Sequence, residues 1–251
     1  MRVLFLGTGT STGVPEIGCQ CKVCQSKDKR DKRMRSSLLV EVNGKTLLID
    51  CGPDFRYQML SNNISHLDAV LITHEHYDHV GGLDDLRPLS RDKSMAIFAE
   101  ENVLKTVQLK MPYVFRDRWH PALPHFSLHK IDVEAFEAAT IPIIPIRVIH
   151  GHLPILGYRI GNMAYLTDMK ELPEEEYKKL AGLDLLILEA LREEVHPSHE
   201  TIDEALKKIE RIAPKQALLT HLSHQAGLYI DTERKLPHNV HIAYDGLSVD
   251  C

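Results

Sequence analysis

"LITHEHYDHVGGL", Leu71 to Leu83, decides how this chain is read. Four side chains able to bind a metal, His74, His76, Asp78 and His79, fall within six residues. The apolar run 69–73 leads straight into them and reads as a buried strand. Histidine and carboxylate donors suit a borderline divalent metal such as zinc. A bound cation would also offset the cost of holding so many polar groups together.

The same arrangement recurs further along the chain. Apolar strands over 144–149, 163–167 and 215–219 run toward His150, Asp168 and His221. Strands that all end in His or Asp predict layered sheets whose ends meet at one site. Asn43-Gly44, between "SSLLVEV" and "KTLLIDC", predicts a hairpin. Helices are expected over "FRYQMLSNN", "EENVLKTVQLK", "PEEEYKKLA" and "SHETIDEALKKIERI", the last capped by Ser198 or Thr201. The region 112–140, rich in Pro, His and aromatics, gives no clear periodicity. No repeat or linker divides the 251 residues, which predicts a single domain over 1–251.

The composition narrows the function. A net charge of -5 gives no broad basic footprint, so nucleic acid is not favoured. No apolar run approaches the ~20 residues of a membrane span. "MRVLFLGTGTS" is too short and too early broken by Gly7 and Gly9 for a signal peptide. A cytoplasmic location is the resulting expectation. Cys19, Cys21 and Cys24 form a C-x-C-x2-C run, which in a cytosolic chain points to metal before disulfide. Three thiolates need a fourth ligand, and His224, three residues after His221, is the natural candidate. Cys51 and Cys251 read as bystanders.

H-x-H-x-D-H after an apolar strand, with "LLIDCG" before it and a later His, Asp and His in order, resembles the metallo-β-lactamase superfamily. The resemblance covers nearly the whole chain. It implies an α/β fold, a four-layer αββα sandwich with a two-metal site at one edge between the sheets. It implies that His74 and His76 bind one metal with a third histidine. Asp78, also placed among the catalytic residues, and His79 would bind a second metal with His221, and Asp168 would bridge both. "VIHGHLPILGYRI" offers His150 and His152 for the third histidine, and the strand-end position favours His150. Asp50 reads equally as a partner that orients a ligand histidine or as a turn former before Gly52-Pro53.

"TGVPEIGCQCKVC" and "LLTHLSH" are similar to the PhnP-like cyclic-phosphate phosphodiesterases. That likeness implies a structural zinc on Cys19, Cys21, Cys24 and His224, carried by a loop near 18–25. It also implies that His199, at a helix start, donates a proton or contacts phosphate. The implied activity is hydrolysis of small phosphate esters, cyclic ones included, by a metal-bridging hydroxide on two divalent metals, zinc or manganese. The substrate would be the small phosphate ester itself, with no membrane and a homodimer left open. Two rivals share the superfamily. A tRNA 3′-processing endonuclease would carry "HGDH" and a protruding arm, whereas this chain has Tyr77-Asp78-His79 and few residues after His150. A thioester or lactone hydrolase would use the same metal pair. A noncatalytic zinc-stabilised scaffold would leave the donor set idle. Arg87, Arg116 and Arg118 are candidates to contact substrate phosphate, with solvated arginines the preferred reading, and the basic run 27–35 reads as a solvated loop. Trp119, His120 and His125 are candidates for a pocket wall or lid.

Overall fold

The computed structural model describes residues 1–116, 120 and 122–251, so Arg118 and Trp119 lie outside the described residues. The chain begins with β1 (Arg2–Gly7), followed by β2 (Ser37–Val42) and β3 (Lys45–Ile49). The β2–β3 turn is the expected Asn43-Gly44 hairpin, with φ of 50° and 72° at its two residues. Next come α1 (Phe55–Ser61), β4 (Ala69–Leu71), α2 (Tyr77–Val80), β5 (Met95–Ala99) and α3 (Glu101–Lys110). The segment without clear periodicity supplies β6 (Phe126–Lys130) and β7 (Phe136–Ala138). Then follow β8 (Ile141–His150), β9 (Leu153–Ile160), β10 (Met163–Leu166), β11 (Leu185–Glu189) and α4 (Ile202–Ile212). The chain closes with β12 (Gln216–Thr220), α5 (Tyr229–Glu233), β13 (Val240–Ile242) and β14 (Ser248–Asp250).

The strands form two sheets of seven, ordered β14-β1-β2-β3-β4-β5-β6 and β13-β12-β11-β10-β9-β8-β7. Alternation along each strand splits the apolar side chains into three layers. Phe5, Val40, Ile49, Leu71, Tyr158, Ile187 and their neighbours fill the space between the sheets. Leu6, Leu48 and Ile97 face outward and are covered by Phe55 of α1 and Val103 and Val107 of α3. Leu166, Leu188 and Leu219 face the other way, under Ile202, Ala205 and Ile209 of α4. The result is the expected αββα sandwich.

Thr201, not Ser198, caps α4. Its hydroxyl accepts from the Glu204 N–H while the Glu204 carboxylate accepts from the Thr201 N–H. The helix expected over "PEEEYKKLA" is a 3-10 helix, Glu174–Leu180. Tertiary contacts shape it, since the Glu176 carboxylate accepts from the Arg147 N–H on β8 and pairs with Lys179. The basic run is not a uniformly solvated loop, because Asp31 and Arg33 within it are buried.

Candidate metal centres

The parallel strands β3, β4, β10, β11 and β12 deliver their C-terminal ends to one edge of the sandwich. There, Asp50, Asp168 and His221 each take a left-handed backbone, with φ of 63°, 52° and 57°. Non-glycine residues seldom adopt it, and such strain gathers at functional sites. At each position the bend ends the strand run and carries a polar side chain into the cluster.

Two four-donor groups converge at this edge, beside a three-donor group of Glu189, His199 and His221. His74, His76, His150 and Asp168 form one; Asp78, His79, Asp168 and His221 form the other. Within each group the donor atoms lie within 4.8 Å of one another, and Asp168 belongs to both. Every predicted residue of the cluster is therefore brought together. His150 joins it, while His152 is exposed and outside it. His76 is turned to the exposed mouth, and His74, His79 and His221 are sealed beneath.

Hydrogen bonds set the histidine tautomers. The His79 Nδ1–H donates to Asp50 Oδ2 at 2.7 Å, which leaves Nε2 as the nitrogen available to a cation. The Asp50 carboxylate also accepts from the Thr73 N–H and hydroxyl. That leaves the Thr73 oxygen to accept from His74 Nδ1 at 3.0 Å. Asp50 is thus a partner orienting ligand histidines rather than a turn former alone. The His150 Nδ1–H donates to the Ser198 carbonyl at 2.9 Å.

The donor set fits divalent cations. His79 Nε2 and both nitrogens of His221 are buried without a hydrogen-bond partner. Yet His79 Nε2 lies 3.1 Å from Asp78 and 3.2 Å from Asp168, and His221 Nε2 lies 3.1 Å from Asp168. Contacts this close without hydrogen-bond alignment fit donors that could face a shared cation. Burial disfavours charge on His79, but Asp168, Asp50 and Asp78 outweigh it and raise its pKa. His221 is likewise opposed by burial and pushed up to about 8 by Asp168, Asp78 and Glu189. Burial and the neighbouring His79 hold His74 well below the usual range. Protons held by some histidines and refused by another indicate a site whose negative charge calls for cations.

A residue missed in the sequence completes the edge. Glu189, the last residue of β11, is fully buried. Its carboxylate accepts from the N–H groups of Met169 and Glu200, at 2.9 Å each. It also lies 3.0 Å from the Nδ1 of His199. The His199 ring lies 4.6 Å from His150 and 5.2 Å from His221, on the rim of the cluster. "LILEA" signalled Glu189 only as one more acidic strand end.

The second cluster lies beyond His221. Cys19, Cys21, Cys24 and His224 bring their donor atoms within 4.8 Å of one another, and the cysteines are free thiols. His224 Nδ1 is 3.5 Å from Cys19 Sγ and 3.3 Å from Cys21 Sγ. Its Nε2 lies 3.0 Å from a Glu16 oxygen, which leaves Nδ1 for the cluster. The Cys24 N–H and His224 lower the Cys21 thiol to about 6. Burial and the adjacent sulfurs push Cys24 up to about 11. Packed thiols that resist joint ionisation fit a tetrahedral thiophilic cation such as zinc.

The other candidates stay apart. Arg87 pairs with Asp84 at 2.6 Å, Arg116 is exposed, and His120 accepts from the Ala122 N–H. Cys51 is buried in the outer apolar layer.

A two-sheet sandwich with His, Asp and Cys clusters at one edge defines a metal-dependent hydrolase of the metallo-β-lactamase fold. Residues 45–222 match the family model described as "Beta-lactamase superfamily domain". A solved structure described as "a New Diphosphatase from the PhnP Family" is 40% identical, with a TM-score of 0.94 over 100% of this chain and 97% of that one. The chain belongs to the metallo-β-lactamase superfamily and, within it, to the PhnP-like branch. A protein named octanoyltransferase from Porphyromonas gingivalis is 49% identical over 98% of this chain. The chain spans 51% of that protein's length. Zinc-bound PqqB from Methylobacterium extorquens shares the fold, at 20% identity and a TM-score of 0.79 over the full length of both chains.

Proposed function

We propose that the chain is a phosphoric diester hydrolase that works with two divalent cations, zinc or manganese. His74, His76 and His150 would hold one, Asp78, His79 and His221 the other, with Asp168 between them. A structural zinc would sit on Cys19, Cys21, Cys24 and His224. The observation that carries this reading is the sharing of Asp168 by two four-donor groups. Bound as a pair, such cations lower the pKa of water and stabilise charge on an attacked phosphoryl oxygen.

The chain's own residues supply the rest. Asp50 fixes the His79 ring directly and the His74 ring through Thr73. His199 holds its Nδ1 proton against Glu189, so its Nε2 can give a proton to the departing alkoxide. The diphosphatase named among the similar structures supports phosphoryl over carbonyl chemistry. Small substrates, phosphodiesters or diphosphate-bridged esters, suit the short Gly151-His152 turn between β8 and β9, which leaves no arm there for a long nucleic acid. A cytoplasmic setting accords with this reading, and no helix among the described residues is long and apolar enough to cross a membrane.

The test is metal content per chain beside hydrolysis of a bis-aryl phosphodiester, a diphosphate-bridged dinucleotide, a phosphomonoester and an aryl thioester. Three metals and cleavage of the first two substrates are expected. Preference for the thioester would move the activity to carbonyl chemistry and overturn the proposal.

A further inference from the structure

Arg33 is 7% exposed and has no carboxylate in ion-pair contact among the described residues. A buried guanidinium is ordinarily paired, because leaving its charge uncompensated is costly. Its Nη1 donates to Thr8 Oγ1 at 2.8 Å and to the Ala243 carbonyl at 2.6 Å. Its Nε and Nη2 have no hydrogen-bond partner among the described residues, and neither is sealed from solvent.

Asp245 and Asp31 lie near enough to offset part of the Arg33 charge, but neither contacts the guanidinium, and their oxygens accept from other groups. Asp245 accepts from the Thr8 hydroxyl and the Met34 N–H. Asp31 accepts from the Ser26 hydroxyl and the Tyr229 N–H. Arg33 lines a cleft of about 400 Å³ on the outer side of the first sheet, with Lys29, Lys32, Asp245 and Tyr57 on its walls. Three cations thus face one carboxylate. Lys32 Nζ is held by the Cys24 carbonyl, Lys29 is exposed, and the Tyr57 side chain from α1 is 65% exposed. The paired N–H groups on one edge of a guanidinium match two oxygens of a phosphate.

We propose that this cleft binds a phosphate-bearing small molecule. Its phosphoryl group sits on the Nε–Nη2 edge of Arg33 and near Lys29, and an attached planar ring lies against Tyr57. No proposed metal ligand lines the cleft, although its Val14 and Lys32 wall adjoins the loop of Cys24, and the site does not depend on the proposed reaction.

Calorimetric titration of inorganic phosphate and of AMP into the Asp168→Ala protein tests it, since that background removes the metal pair as a competing phosphate site. One saturable site is expected, with AMP bound more tightly than phosphate. Lys29→Glu in the same background should weaken both by about tenfold or more, since it reverses a charge on the cleft wall. Tyr57→Ala should remove the advantage of AMP and leave phosphate binding intact. Arg33→Met should abolish binding, and exposed Lys29 keeps the test decisive if that variant fails to fold. No saturable binding of either anion, or binding that Lys29→Glu leaves unchanged, would overturn the proposal.

Discussion

His221 and His224 lie three residues apart, yet they belong to clusters built in different ways. The His/Asp cluster gathers donors from strand ends scattered between His74 and His221, and most of them are sealed. Asp50 and Glu189, both fully buried, hold it with hydrogen bonds that need no cation. The Cys/His cluster takes three donors from one short loop and one from afar, and three of the four are partly exposed. Among the described residues, its apolar packing is small: Val14 and Val23 are buried with Cys24, and a few half-buried neighbours join them. A centre framed by two sheets keeps its shape by packing, whereas a loop with so small a core would depend on a bound metal for order.

That contrast can be broken by mutation. Asp168→Ala removes the residue common to both donor groups. Turnover should fall by roughly 10³-fold or more with two metals lost, while the melting temperature changes little. Retention of both metals, measured by elemental mass spectrometry, would contradict the shared role of Asp168. His199→Ala should lower kcat by about 10²-fold on alkyl esters and less on aryl esters, whose leaving groups need no proton. Equal losses on both substrates would deny it the acid role.

Glu189→Gln sharpens the comparison, because it loosens the packed frame without replacing a proposed ligand. We expect about tenfold lower kcat with KM and metal content nearly unchanged, and a larger loss on alkyl than on aryl esters, since the change acts through the His199 ring. Cys21→Ser should have the smallest effect on turnover, several-fold at most. It should nonetheless lose about one metal per chain and lower the melting temperature by several degrees, read by calorimetry. If Cys21→Ser instead matched Asp168→Ala in turnover, the two clusters would form a single cooperative unit.

The parts that were legible share one property: local pattern fixes them. The apolar run before His74, the Asn43-Gly44 turn and the Cys19–Cys24 spacing each carry their meaning within a few residues. Glu189 did not, because its role rests on contacts with Met169, twenty residues earlier, and His199, ten later. Asp50 was ambiguous for the same reason: only folding sets it 2.7 Å from His79. Arg33 resembled its solvated neighbours until the approach of Thr8 and Ala243 buried it.

The left-handed backbone at Asp50, Asp168 and His221 has a consequence for engineering. Glycine meets no steric penalty in that region, where a side chain costs of order 1 kcal/mol or more. Random mutagenesis selected for heat resistance alone would therefore sample glycine at these three positions, in so far as relief of the backbone outweighs the hydrogen bonds given up. Each such survivor would be a sturdier protein with a damaged reaction centre, so selection for robustness has to be coupled to a readout of turnover.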